Sequence, residues 1–243
     1  MSTPPSGTTA PGVRARVREE LTRQIVATAR RHLATEGAAG LSLRAVAREL
    51  GMVSSAVYRY VSSRDELLTL LIVDAYDAMG EAAERAEARV PRDDIAGRYL
   101  AICTAARRWA LRSPHEFALI FGSPVPGYAA PETTVGPASR VGRVLIGVLA
   151  DAVAAGVPVV ASEPLPDAAR RSIAPIRPYF PDTIPDELVF GGLVVWTHLV
   201  GSISFELFGH RRNVVADATA LRAAFFTEEM TRLGRRFGLV PPG

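Results

Sequence analysis

Apolar residues return at four-residue steps over long stretches of this 243-residue chain, and that spacing constrains its fold more than any other feature. Val17, Leu21, Ile25, Ala29 and Leu33 set the pattern, with Arg and Glu between them. Such a stripe lies along one face of an α-helix, whereas a half-buried strand needs alternation at every second residue. Sustained alternation bounded by hairpin turns is absent. With 48% hydrophobic residues the chain can fill a core, so the expectation is an all-α protein of roughly nine or ten helices.

The breaks in the pattern place the helices. Gly37 and Gly40 end a first helix over 17–36. Ser42 stands as the N-cap of a two-turn helix over 42–50, Gly51 breaks it, and a short helix follows over 54–60. Ser63-Arg64-Asp65-Glu66 has the spacing of a capping box and opens a helix to about Arg89, with Leu67, Leu68, Leu71, Ile72, Ala75 and Met79 on one face. Helices are expected from Pro91 to Arg112, behind Ser113-Pro114-His115-Glu116, over 138–154, over 167–180, over 186–208 and over 214–237. Between them, 123–137 holds Pro124, Pro126, Pro131 and Pro137 and reads as loop, and 156–166 reads as a Pro-punctuated connection. The first twelve residues are polar with no apolar segment, so 1–14 reads as a disordered tail and not as a signal peptide.

Charge is distributed unevenly. All 28 cations are arginine. Residues 1–70 carry ten of them against six acids, and the remainder is close to neutral. A basic N-terminal third on a neutral body suits a phosphate-facing module, although an arginine-rich composition alone gives the same count. Two short helices meeting at a Gly-containing turn have the geometry of a helix-turn-helix, whose second helix enters the major groove. Gly51 sits where a positive φ is needed, and Ala47 where the helices approach closely. Leu43, Val46, Leu50 and Val57 form the small core beneath. Ser54, Ser55 and Ala56 are small enough for the helix start to descend towards base edges, and Tyr58, Arg59 and Tyr60 follow as donors. Arg44 and Arg64 flank the groove. Arg14, Arg16 and Arg18 read either as a minor-groove arm or as a solvated helix start.

At these residues the chain resembles the TetR family of bacterial transcription regulators. Leu41-Ser42-Leu43-Arg44-Ala45-Val46-Ala47-Arg48-Glu49-Leu50-Gly51, then Ala56-Val57-Tyr58-Arg59-Tyr60-Val61 and Ser63-Arg64-Asp65-Glu66-Leu67, match the family's DNA-binding signature over about residues 17–75. The resemblance implies that Ser42, Arg44, Tyr58, Tyr60 and Arg64 grip backbone phosphates, while Ser54, Ser55, Ala56 and Arg59 face the bases. Val53 departs from the pattern: family members commonly carry Ser or Thr there as the cap of the recognition helix. Further along, Trp196-Thr197, Gly201, Ser204, Glu206 and Phe208-Gly209 resemble a regulatory domain nicknamed for a Trp-His-Gly motif, with Val200 at the His position. This implies a homodimer built as a four-helix bundle by the last two helices, and an effector pocket in each regulatory domain.

The implied organisation is a helix-turn-helix domain over 15–62 and a helical ligand-binding and dimerisation domain over 63–243. Dimer-interface candidates are Trp196, Gly201, Phe205, Leu221 and Phe225, since helices 188–208 and 214–237 carry more apolar surface than one small domain uses. Gly191, Gly192 and Gly201 permit close approach there. Pocket candidates are Cys103, Trp109, Phe117, Phe121 and His198, Trp196 is also aromatic enough to line such a cavity, and Tyr179-Phe180 with the loops at 123–137 and 155–166 read as a gate. Each has a plainer reading as core, and His198 as an interface histidine bonded to backbone or Glu206. Leu188 to Phe208 is long enough to span a bilayer, but a near-central His198, Glu206 near one end and no basic cluster before it favour a helix buried in protein. A lone Cys103 excludes an internal disulfide and fits a reducing cytoplasm. Four scattered histidines and no HExxH, GxSxG or P-loop leave no catalytic residue, metal ligand or cofactor to expect. The function implied is a sequence-specific regulator, a repressor released from a palindromic operator by an unidentified, largely apolar small molecule. Enzyme and effector-free activator are the alternatives.

Overall fold

The structure is a computed structural model that describes residues 12–157 and 164–241. Eleven α-helices run along the described chain: α1 Val13–Gly40, α2 Leu43–Glu49, α3 Ser54–Val57, α4 Arg64–Glu87, α5 Ile95–Arg112, α6 Pro114–Phe121, α7 Val135–Ala138, α8 Arg140–Ala154, α9 Asp167–Ser172, α10 Asp186–Leu207 and α11 Thr219–Arg236. Two 3-10 turns, Glu132–Thr134 and Arg177–Tyr179, join them, and no strand occurs among the described residues. The all-α expectation holds. The chain forms two compact units, one comprising residues up to Ile72 with Pro124–Ala130, the other Val73–Ser123 with the chain from Pro131 on. Residues 1–11 of the expected tail lie outside the described residues, and α1 starts at Val13.

In the first unit, α1 packs on α2 and α2 on α3. Gly37, at φ 70° inside α1, interrupts the helical geometry three residues before its end. Gly51 takes φ 66° and closes α2 as a Schellman motif, its N–H bonding Arg48 O and the next N–H, of Met52, bonding Ala47 O. Ile25, Ala29, Leu33, Val46, Ala47, Val57, Val61, Leu67 and Leu68 are fully buried beneath this turn. Each large side chain among them contributes about 1.5–3 kcal/mol relative to exposure. Glu49 ties α2 to α1: its carboxylate accepts from Arg31 Nη2 (2.6 Å) and sits 2.5 Å from His32 Nε2. These contacts, Arg31 first, hold its pKa below the ordinary carboxylate value.

The second unit is built around α5, which packs against α6, α8, α10 and α11. Ile102, Cys103, Ala106 and Ala110 are fully buried, and the same inward stripe carries two arginines, Arg98 and Arg107. Neither is buried unpaired, which would be prohibitive. Arg98 Nε reaches Glu87 (2.6 Å) and its Nη2 reaches Asp151 (2.7 Å). Arg107 grips Glu206 with both arms (2.6 and 2.5 Å) and lies over the Phe226 ring.

Several expected boundaries change, each for a local reason. The 54–60 helix ends at Val57, and 58–60 continue as a turn with Arg59 N–H bonding Ala56 O. The capping box at 63–66 is displaced by one residue. Ser63 Oγ accepts from Glu66 N–H as expected, but the Glu66 carboxylate accepts from the N–H and hydroxyl of Ser62. The box at 113–116 does not form, because Ser113 makes no side-chain cap and Pro114 simply takes the first helical position. The loop expected over 123–137 contains the 132–134 turn and most of α7. The helix expected over 167–180 stops at Ser172, since Pro175 and Pro178 lack the N–H that would continue it. The last helix starts at Thr219 and not at 214, after a turn in which Asn213 takes φ 62°.

Candidate functional sites

The head presents its polar residues outward. Arg44, Arg48, Ser54, Ser55, Tyr58 and Arg59 are exposed on α2, α3 and the turn that follows, while Ala56 and Tyr60 are half-buried. Ser42 is half-buried and caps α2, its Oγ accepting from Ala45 N–H at 3.5 Å. Val53 is 70% exposed at the N-cap of α3, and no side chain caps that helix, so Ser54 does not replace the missing hydroxyl. The guanidinium of Arg18 lies over the Tyr60 ring (5.9 Å), which places Arg18 on α1 as a helical residue.

Arg64, expected at a phosphate, bonds backbone carbonyls of its own unit. Its Nε donates to Leu41 O (3.2 Å) and its Nη2 to Ala38 O (2.8 Å) and Ala39 O (3.3 Å). Those carbonyls end α1, where helix geometry leaves acceptors unpaired and the dipole favours a cation. Arg64 therefore closes the C-terminus of α1 from the first turn of α4.

The second unit contains a cavity of about 450 Å3, within the range of ligand sites. α8 supplies Gly142, Leu145, Ile146 and Leu149, α10 supplies Leu188, Gly191, Gly192, Leu193, Val195 and Trp196, and Tyr179, on the 3-10 turn, and Phe180, just after it, also line the wall. None of the five pocket candidates lines it. Cys103 and Phe117 are fully buried, Trp109 nearly so, and Phe121 packs edge-on against Trp196 and Tyr76. They are consumed by the α5–α6 core, whereas the cavity opens where α8 and α10 present glycines. Burial pushes the Cys103 thiol up to about 12, so it is a packing residue and not a thiolate redox centre. Trp196, read both as an interface candidate and as an aromatic able to line a cavity, is part of the cavity wall.

His198 is half-exposed on α10. Its Nε2 sits 3.0 Å from Glu229 and not beside Glu206, which Arg107 occupies. Glu229 also accepts from Ser202 Oγ (2.7 Å) and Arg211 (3.0 Å). Around this cluster Phe205, Phe208, Leu221 and Phe225 are 43–54% exposed. Of the three glycines expected at an interface, a methyl on Gly191 would run into Phe237 and one on Gly192 would just meet Phe180, both in this chain; one on Gly201 would meet nothing. α10 is long and apolar enough to cross a membrane by length and composition. Among the described residues no cluster of three His, Cys, Asp or Glu is placed to hold a metal ion.

The signals missed in the sequence are Arg98 and Arg107. Both fall at core spacing among apolar residues on α5, and a cation inside such a stripe points to a buried acid elsewhere.

A helix-turn-helix head with Tyr58 and Arg59 outward, on an all-helical body with an apolar cavity, defines the class of bacterial one-component DNA-binding regulators. Residues 25–71 match the model described as bacterial regulatory proteins, tetR family, and residues 99–233 match the tetracyclin repressor-like C-terminal domain. HTH-type transcriptional regulators of Mycobacterium tuberculosis and Mycobacterium bovis are 45% identical to this chain over 203 residues, 82% of its length and 85% of theirs. The solved regulatory protein SCO4313 is 33% identical with a TM-score of 0.73, covering 92% of this chain and 98% of its own. The TetR-family regulator PfmR of Thermus thermophilus shares the fold at 18% identity (TM-score 0.56, 87% of this chain and 97% of its own). The chain belongs to the TetR family of helix-turn-helix transcriptional regulators, which are DNA-binding proteins and not enzymes.

Proposed function

We propose that this protein is a cytoplasmic, homodimeric repressor that binds a palindromic operator and is released by a small, largely apolar effector, with no cofactor. The observation that carries the reading is the outward row of Arg44, Ser54, Ser55, Tyr58 and Arg59 on a head with excess positive charge. Arg44 and the tyrosine hydroxyls reach phosphates, and Ser54, Ser55, Ala56 and Arg59 face the bases. A single head reads one half-site, so a palindrome requires two copies. The apolar surface that Phe205, Phe208, Leu221 and Phe225 leave exposed supports pairing through α10 and α11 and accounts for the hydropathy of α10 without a bilayer. The cavity supports an effector, which lowers operator affinity only if it binds the DNA-incompetent state more tightly.

An operator selected from a random duplex library tests the reading. Wild-type protein should retard it with a steep loss of affinity on adding salt, and the double variant Tyr58→Ala/Arg59→Ala should not. Sedimentation should give a dimer that Phe205→Glu converts to monomer. Selection of no palindrome, or operator binding by a monomer, would refute it.

A further inference from the structure

The chemistry of the cavity narrows what can fill it. Its wall is almost wholly hydrocarbon, and Arg143 is the single charged residue among those that line it. Arg143 lies exposed on α8, and its Nη1 donates to two other wall residues, Ser139 Oγ at 2.6 Å and Gly136 O at 3.3 Å. These bonds hold the guanidinium against the wall formed by α7 and the start of α8. Among the described residues they are its hydrogen bonds, and Nε and Nη2 retain donors. Among the described residues no acid lines the cavity. Glu84, which feels the field of Arg143, is already clasped by both arms of Arg140 at 2.9 and 2.5 Å.

The missing side chains matter as much as those present. Gly136 and Gly142 line the cavity, and a methyl added to either meets nothing within 4 Å. At these two wall positions α7 and α8 leave open space beside the backbone.

We infer that this cavity takes an apolar organic anion: one carboxylate-like head held by Arg143 on a hydrocarbon body lying along Gly142, Leu145, Ile146 and Trp196. The inference rests on the reading of the cavity as the effector site and adds the ligand's chemical class. A planar guanidinium fork suits a carboxylate, and the uncharged wall selects against sugars, nucleotides and polyamines, whose polar groups would be buried without partners.

Saturated fatty acids of about eight to about sixteen carbons and the primary alcohols of equal length are the probes, titrated by calorimetry against the full chain without DNA. Affinity should rise by about fourfold per methylene until the cavity is full. Acids should exceed the matching alcohols by about tenfold. Arg143→Gln should remove that preference while leaving alcohol affinity within about twofold. Gly142→Leu fills open space on a helix with a good helix former, and should weaken both series by at least about tenfold while the circular dichroism stays unchanged; Gly142→Ala should fall between. Acids and alcohols binding alike, a preference that survives Arg143→Gln, or no binding of any chain length would each overturn the assignment. Operator retardation, measured separately without ligand, reports on the DNA-binding reading, so the two can fail independently.

Discussion

Replacing Glu206 by Leu removes one half of an ion pair that the second unit buries almost completely. Side-chain exposure is 8% for Arg107 and 5% for Glu206, and two guanidinium–carboxylate bonds of 2.6 and 2.5 Å link them. After Glu206→Leu the guanidinium keeps only the face of Phe226, 5.3 Å from the ring centroid, and water has little access. Leaving such a charge unpaired costs about 3–5 kcal/mol. For a chain of this size each kcal/mol moves the melting temperature by about 2–4 °C, so a fall of roughly 6–20 °C is expected. Arg107→Met alone should cost nearly as much, because the carboxylate is then stranded. The double variant Arg107→Met/Glu206→Leu should be more stable than either single one, since both desolvation costs vanish and apolar contacts replace them. Urea unfolding at fixed protein concentration measures the cycle. Single variants costing under about 1 kcal/mol, or effects that add within about 0.5 kcal/mol, would refute the reasoning.

Three further outcomes are expected. Val53→Thr supplies the hydroxyl that α3 lacks and should raise stability by about 1 kcal/mol in urea; an unchanged midpoint would mean that this helix start is not capped in the usual way. Arg44→Ala should weaken operator binding uniformly across sequences and reduce the logarithmic salt slope by about one, readable in retardation assays at several salt concentrations. Glu49, Glu66, Glu84 and Glu187 are all held below the ordinary carboxylate range, chiefly by hydrogen bonds to Arg31, to Ser62, to Arg140 and to backbone N–H groups respectively. The stability they confer is complete above their unfolded-state pKa and is lost as pH falls through the lowered folded values. The melting temperature should therefore stay level from neutral pH to about 5 and drop below about pH 4 in calorimetric scans.

What the sequence made legible was whatever local spacing encodes. The four-step stripe, Ser42 before α2 and Gly51 after it are local signals: Ile25, Ala29 and Leu33 are buried while Val17 at the helix start stays exposed, Ser42 caps α2, and Gly51 takes the positive φ. Long-range partners were not legible. Glu206 reads locally as a partner for His198, but Arg107, 99 residues earlier, claims it, and His198 turns to Glu229. The cavity was legible only in part. Of the aromatics that read as cavity lining, Trp196 lines it, whereas Trp109, Phe117 and Phe121 on α5 and α6 fill the space they occupy. The three carbonyls that Arg64 bonds were not legible either, because they lie 23 to 26 residues away at the end of α1.

The two bare positions on α7 and α8 bear on how this protein and its relatives diverge. At Gly136 or Gly142 a single codon change to alanine adds one methyl group to the cavity wall with no neighbour to displace. Chamber length is thereby separable from the integrity of the α5 core, and a lineage can retune which molecule it senses while its scaffold stays the same.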